Sequence, residues 1–198
     1  SEINYISSLL PEIIPTDKVD NDKWVINNKF FGAELFTMNS EVIFFIGARY
    51  GLEILFIAIK NTNCHIVIIE NDKKKLVYIE QLIAKNNFLN NQVSVLSDFS
   101  NALVPDLLKN KTISARVSHE QLNLSVLDKL LENYNVEHIC GEFSEHLCDP
   151  LAMYRLCETK AESFYWYVSG LKKPLVGQKS HFDYEVSVVV PAYNVGEY

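Results

Sequence analysis

Residues 41–71, EVIFFIGARYGLEILFIAIKNTNCHIVIIEN, decide how the rest of the chain is read. Val42 to Ile46 is a continuous apolar run, the pattern of a strand covered on both faces in a parallel sheet. Gly47 and Gly51 bracket a turn, Leu52 to Ile59 continues as a largely apolar helix, and Cys64 to Ile69 is a second buried strand closed by Glu70. Strand, glycine turn, helix and strand make a βαβ unit of the nucleotide-cofactor type. Glycines in such a turn let backbone approach a ligand and leave free N–H groups at the helix start. An acid at the end of the second strand, 19 residues beyond Gly51, can accept both hydroxyls of a ribose.

The segments on either side extend this unit into an α/β fold, Rossmann-like, with a mostly parallel sheet and helices on both faces. Asn71 or Asp72 caps a helix whose apolar positions Leu76, Ile79, Leu82 and Ile83 share one face. That helix runs out in Asn86-Asn87-Phe88-Leu89-Asn90-Asn91. Val93 to Leu96 reads as a third strand, with Asp98 after it, and Ile113 to Val117 as a short further one. Ser125 and Asp128 open a helix carrying Leu127, Leu130, Leu131 and Tyr134. Val136 to Phe143 is the next strand.

Asp149-Pro150 looks like a helix start, and Leu151, Tyr154, Cys157, Ala161, Phe164, Tyr165 and Val168 recur at helical spacing before Gly170. This predicts one long helix and a sheet shortened at its C-terminal side. Residues 1–40 form an N-terminal cap segment: Ile3 to Leu10 a short helix limited by Pro11, Lys23 to Ile26 a short strand, Phe30 to Glu34 a cover for one edge of the core. No chemistry is visible in that segment. The α/β domain spans 41–169, a polar Pro- and Gly-containing linker 170–183, and a new strand starts at Tyr184, fifteen residues from the end.

Composition sets outer bounds. The chain has 198 residues, 48% hydrophobic and 22% charged, which is enough for one well-buried domain. A net charge of −7 argues against a nucleic-acid partner, since phosphate binding needs a local surplus of Lys and Arg. The basic clusters at 73–75 and 172–173 read as solvated faces. No apolar run approaches the ~20 residues that span a bilayer. Cys64, Cys140, Cys148 and Cys157 form no CxxC pair and read as reduced, packed thiols of a cytoplasmic protein.

GARYG, HIVIIEND and KNNFLNNQVSVLSDFS together resemble class I S-adenosylmethionine-dependent methyltransferases, and most closely their FkbM-like branch. The resemblance implies that Gly47, Ala48 and Gly51 lie along the methionine part of the cofactor, that Glu70 holds the ribose, and that Asp98 faces the adenine amino group. It covers residues 41–100 well and 120–160 loosely.

Three positions depart from the family pattern. Phe45 stands where the family has an acid two residues before the first glycine, and a Phe cannot accept a hydrogen bond from the cofactor ammonium. Arg49 replaces an asparagine; it either pairs with the cofactor carboxylate or with an acid such as Glu53 one helical turn away. The family's K-x-D-x-E-G segment is here Cys140 to Glu145, with Glu142 at the aspartate position and hence the candidate catalytic base.

Other readings compete with this one. A dinucleotide fits Arg49 beside a pyrophosphate, against which the glycines are spaced G-x-x-x-G rather than G-x-G-x-x-G. His138, Cys140, His146 and Cys148 have zinc-capable chemistry, but alternate residues on a strand share a face without building a knuckle, so no metal is expected.

VSVVVPAYNVGEY at 186–198 resembles the opening strand of family 2 glycosyltransferases of the GT-A fold, with Pro191, Ala192 and Tyr193 at the nucleotide-base position. The two resemblances together imply the methyltransferase-like N-terminal domain of a larger glycosyltransferase. It would methylate a sugar or glycan in surface polysaccharide assembly, or serve as a catalytically degenerate docking domain.

Overall fold

The computed structural model describes residues 2–27, 40–97, 108, 110–118, 129–132, 134–142, 154–159 and 164–169. Its centre is a seven-stranded sheet. In chain order the strands are β1 (Val42–Ile46), β2 (His65–Ile69), β3 (Val93–Leu96), β4 (Ile113–Val117), β5 (Val136–Glu142), β6 (Tyr154–Thr159) and β7 (Phe164–Ser169). They lie side by side as β3-β2-β1-β4-β5-β7-β6. The first five run parallel and β7 runs antiparallel to both β5 and β6.

The period-two geometry of β1 divides the core. Ile43 and Phe45 face the layer of α1 (Glu2–Ser8), α2 (Thr16–Asn27), α3 (Leu52–Lys60) and α4 (Lys73–Lys85). Val42, Phe44 and Ile46 face the opposite core with Val67, Ile69, Ala115, Val117, Leu130 and Ile139. All five β1 residues are buried, as the unbroken apolar run requires.

The first helices are fastened to the βαβ unit through backbone groups that α1 leaves unsatisfied at its end. Lys85 Nζ donates to the carbonyls of Ser8 (3.1 Å) and Leu10 (2.6 Å), and Asn86 Nδ2 donates to that of Leu9 (2.9 Å). The asparagine-rich stretch is a 3₁₀ turn, Asn87–Asn91, after which Gln92 Nε2 donates to the carbonyls of Ala58 and Asn61. The side-chain amides flanking it, of Asn86 and Gln92, are spent on scaffold contacts. Asp72 caps α4, its carboxylate accepting from the amides of Lys74 and Lys75.

Three expectations are corrected. Lys23 to Ile26 is helical, the last turn of α2, whose Asp22 and Ile26 are buried one helical turn apart. The stretch read as one long helix holds two strands, β6 and β7, separated by residues 160–163. Tyr165-Trp166-Tyr167-Val168 is a run of aromatic and β-branched residues, and pairing with β5 outweighs the helical spacing found there. At its C-terminal side the sheet is therefore not shortened as expected: β7 and β6 extend it beyond β5. Ile3 to Leu10 is helical as far as Ser8.

The proposed edge cover at 30–34, the helix start at Ser125 and Asp128, Asp149-Pro150, and everything from Gly170 onward lie outside the described residues. Among the described residues no helix is long and apolar enough to cross a membrane.

Candidate functional site

In an open α/β sheet, ligands bind outside the carboxyl ends of strands where the strand order reverses direction. Here β2 and β3 lie to one side of β1, and β4 and β5 to the other. The crevice therefore opens at the turn that follows β1. Backbone bonds lock its base: the Gly47 amide donates to the Ile69 carbonyl (2.9 Å), and the Ser118 amide to that of Ile46 (2.9 Å).

The turn itself is left-handed at three places. Gly47 has φ 86°, Arg49 46° and Gly51 93°. A side chain tolerates that region poorly, and Asn best among non-glycine residues, so Arg49 occupies a strained position. A Cβ at Gly51 would also stand 2.8 Å from Leu82 Cδ2 of α4, the end of a flexible side chain that would have to shift. The N-cap of α3 thus lies against Leu82 of α4.

Glu70 is buried, 1% exposed, directly beyond β2. Its Oε2 accepts from the Ala48 amide at 3.0 Å and its Oε1 from the Asp72 amide at 2.8 Å. The acid expected to hold a ribose thus ties the glycine turn to the start of α4. Each carboxylate oxygen has a second acceptor position, so these bonds leave capacity for a hydroxyl.

Arg49 is also buried, and its partner corrects the expected one. Its Nε donates to Oδ1 of Asp22 on α2 at 3.1 Å. Glu53, the acid expected for it, instead receives both Nε (3.2 Å) and an Nη (3.0 Å) of Arg116 on β4. Four buried ionisable side chains, two acidic and two basic, therefore gather on the helical side of β1 and β4. Burial, then the nearby Glu53 charge, raises Asp22 to about 7 in spite of Arg49 and Arg116.

Tyr50, the next residue of the turn, is half-buried. Lys18 of α2 and Lys75 of α4 place their ammonium groups 5.9 Å and 5.8 Å from its ring centre. Lys75, expected on a solvated face, is buried; Lys73 and Lys74 are exposed.

Phe45 lies inside the helical-side core, paired in register with Ile68 on one side and Arg116 on the other. Glu142 ends β5 at the same carboxyl edge of the sheet, opposite Phe164 of β7. Asp98 lies outside the described residues.

Of the zinc-capable set, His138 and Cys140 alternate on β5, while His146 and Cys148 lie outside the described residues. Among the described residues, no cluster of three or more His, Cys, Asp or Glu is placed to hold a metal. A groove of about 470 Å³ lies at the opposite, amino edge of the sheet, lined in part by Cys64, His65, Phe88 and Gln92, away from this chemistry.

The residues that sequence reasoning missed are Asp22, Glu53 as the partner of Arg116, and Arg116 itself. A lone charged residue inside apolar β4, ISARV, is the only local signal for that ion pair. Nothing local marks Asp22, whose partner is 27 residues away.

No protein-family model matches the chain, and no curated protein matches it in sequence. Solved structures do match. A methyltransferase from Geobacter sulfurreducens superposes with TM-score 0.53 at 11% identity, over 84% of this chain and 93% of that one. A precorrin-6y C5,15-methyltransferase from Geobacter metallireducens superposes with TM-score 0.50 at 12% identity, over 69% of this chain and 87% of that one. The fold is that of the class I S-adenosylmethionine-dependent methyltransferases.

Proposed function

We propose that the carboxyl edge of β1 and β2 is an S-adenosylmethionine site and that the domain methylates a sugar or glycan hydroxyl. The observation that carries this reading is the position of Glu70: buried, at the end of β2, with its carboxylate held against the Ala48 amide of the left-handed turn. A ribose on Glu70 would lie over Gly47 and Ala48, with the methionine part running toward Arg49 and β4. Asp98, just past β3, would meet the adenine. When bound, the cofactor supplies an electrophilic methyl group. This chain's part is to orient it and, through Glu142 at the end of β5, to take a proton from the attacking hydroxyl.

The larger setting is part of the proposal. Residues 170–183 would be a linker and 184–198 the first strand of a family 2 glycosyltransferase domain, placing the protein in surface polysaccharide assembly in the cytoplasm. No nucleic acid is implied, since the net charge is −7.

A second reading rests on a different observation. Arg49 is turned onto Asp22 and both are buried, so α2 is fastened across the turn without any ligand. A domain whose turn is closed in this way serves as a docking module for the glycosyltransferase, with no methyl transfer. Calorimetric titration of the chain with S-adenosylmethionine separates the two. Saturable binding that Glu70→Ala removes supports the first; no heat at millimolar cofactor overturns it in favour of the second.

A further inference from the structure

The turn after β1 lacks an acid on its own strand, because position 45 is Phe, yet an acid reaches the turn from another element. Asp22 of α2 is wholly buried, and its Oδ1 accepts from Arg49 Nε at 3.1 Å. Its second oxygen, Oδ2, is buried without a hydrogen-bond partner. An unsatisfied buried carboxylate oxygen is costly, so one in a native structure calls for a physical reason, of which a bound ligand is one.

We propose that Asp22 is the ammonium-binding residue of the site, supplied by α2 in place of the acid missing at position 45, with Oδ2 accepting from the α-amino group of the cofactor. The inference rests on the cofactor reading above and adds to it the residue that recognises the amino-acid end.

The other described acids around the turn are committed elsewhere. Glu53 is held by two bonds from Arg116, and both oxygens of Glu70 accept backbone amides. Among the described acids, Asp22 is the one with a buried carboxylate oxygen that accepts no hydrogen bond at all. The groups facing it are Arg49 of the turn, Glu53 of α3 and Arg116 of β4, and the positive charge they bring does not offset burial and the repulsion of Glu53. An added ammonium supplies that charge. Arg49, strained at φ 46°, is the positioning residue: its Nε holds Oδ1.

The test is selectivity, measured calorimetrically at neutral pH with three probes. These are S-adenosylhomocysteine, its analogue with a hydroxyl in place of the α-amino group, and 5′-methylthioadenosine, which lacks the amino-acid end. The wild-type chain is expected to prefer S-adenosylhomocysteine over the hydroxyl analogue by about 10- to 100-fold, the range of a hydrogen bond to a charged group. Asp22→Asn is expected to bind the two about equally, with affinity for 5′-methylthioadenosine unchanged. Should Asp22→Asn fail to fold by circular dichroism, the wild-type comparison decides: no discrimination overturns the inference. Discrimination that persists in a folded Asp22→Asn also overturns it while leaving the cofactor reading standing. A wild-type chain that binds none of the probes overturns both.

Discussion

Arg116 of β4 and Glu53 of α3 form a two-pronged ion pair, Nε to Oε2 at 3.2 Å and Nη to Oε1 at 3.0 Å, with both side chains about 2% exposed or less. The same Arg116 also donates to the carbonyl of Val117, so the helix that follows the glycine turn is pinned to the strand beside β1. Removing one partner leaves the other charge buried and uncompensated. Arg116→Met should therefore lower stability by about 3–5 kcal/mol, and the double variant Arg116→Met, Glu53→Leu should recover most of that loss. Urea denaturation of the two single variants and the double one checks this; strictly additive losses would show that the pair is not coupled.

Gly141 of β5 has φ 156°, and a Cβ placed there would stand 2.1 Å from the backbone carbonyl oxygen of Val117 on β4. Backbone cannot yield as a flexible side chain would. Gly141→Ala should cost on the order of 3 kcal/mol or more, or prevent folding, by forcing β4 and β5 apart. Soluble yield and thermal melting read this out, and a variant as stable as the wild type would contradict so close an approach of the two strands.

These two relationships also mark what the chain discloses on inspection. The parallel core was legible because strands buried on both faces are written as unbroken apolar runs, VIFFI and HIVII, and because Glu70 directly follows the second. The hairpin β6–β7 was not, since Tyr154, Cys157, Ala161, Phe164 and Val168 satisfy a helical period that only pairing with β5 overrides. At the site, the turn and its acid were visible from spacing. Asp22, Arg116 and the true partner of Arg49 were not, because contacts between residues 27 and 63 positions apart leave no local pattern.

Asp22 gives the chain a distinctive pH response. Folded, it holds its proton to about 7, whereas the unfolded chain gives it up near 3.8. Between those values the folded state binds more protons, so the contribution of Asp22 to stability is full below about 3.8 and is lost as the pH rises toward 7. The loss is on the order of 1–4 kcal/mol at about 1.4 kcal/mol per pH unit. Asp22→Asn removes this dependence. Subtracting its unfolding free energies from those of the wild type, pH by pH, should give a curve falling with pH across that window; a flat difference would show that the carboxyl titrates normally.

The thiols of Cys64 and Cys140 should be inert. Burial pushes Cys64 up to about 12 and raises the fully enclosed Cys140 further above the ordinary thiol range, so neither carries thiolate at neutral pH. Iodoacetamide at about pH 8 should leave both unmodified in the native chain and alkylate both in urea, as peptide mass spectrometry would show. Rapid native labelling of Cys140 would mean that β5 is open to solvent.

Glu70 joins stability to ligand binding, and one conservative variant pulls them apart. Its two oxygens each accept a backbone amide, from Ala48 in the turn and Asp72 before α4. Glu70→Gln keeps one acceptor and turns an N–H₂ toward the other amide, so about 1–2 kcal/mol of stability should be lost through that orphaned donor. If Glu70 also holds a ribose, the variant should lose at least about tenfold in affinity for S-adenosylmethionine and for 5′-methylthioadenosine alike, since both carry the ribose. Asp22→Asn, by contrast, should affect only ligands with an amino group. Calorimetry on the two variants with the two ligands therefore assigns each acid to one end of the cofactor. Equal losses for both variants on both ligands would mean that the acids act only by holding the turn together.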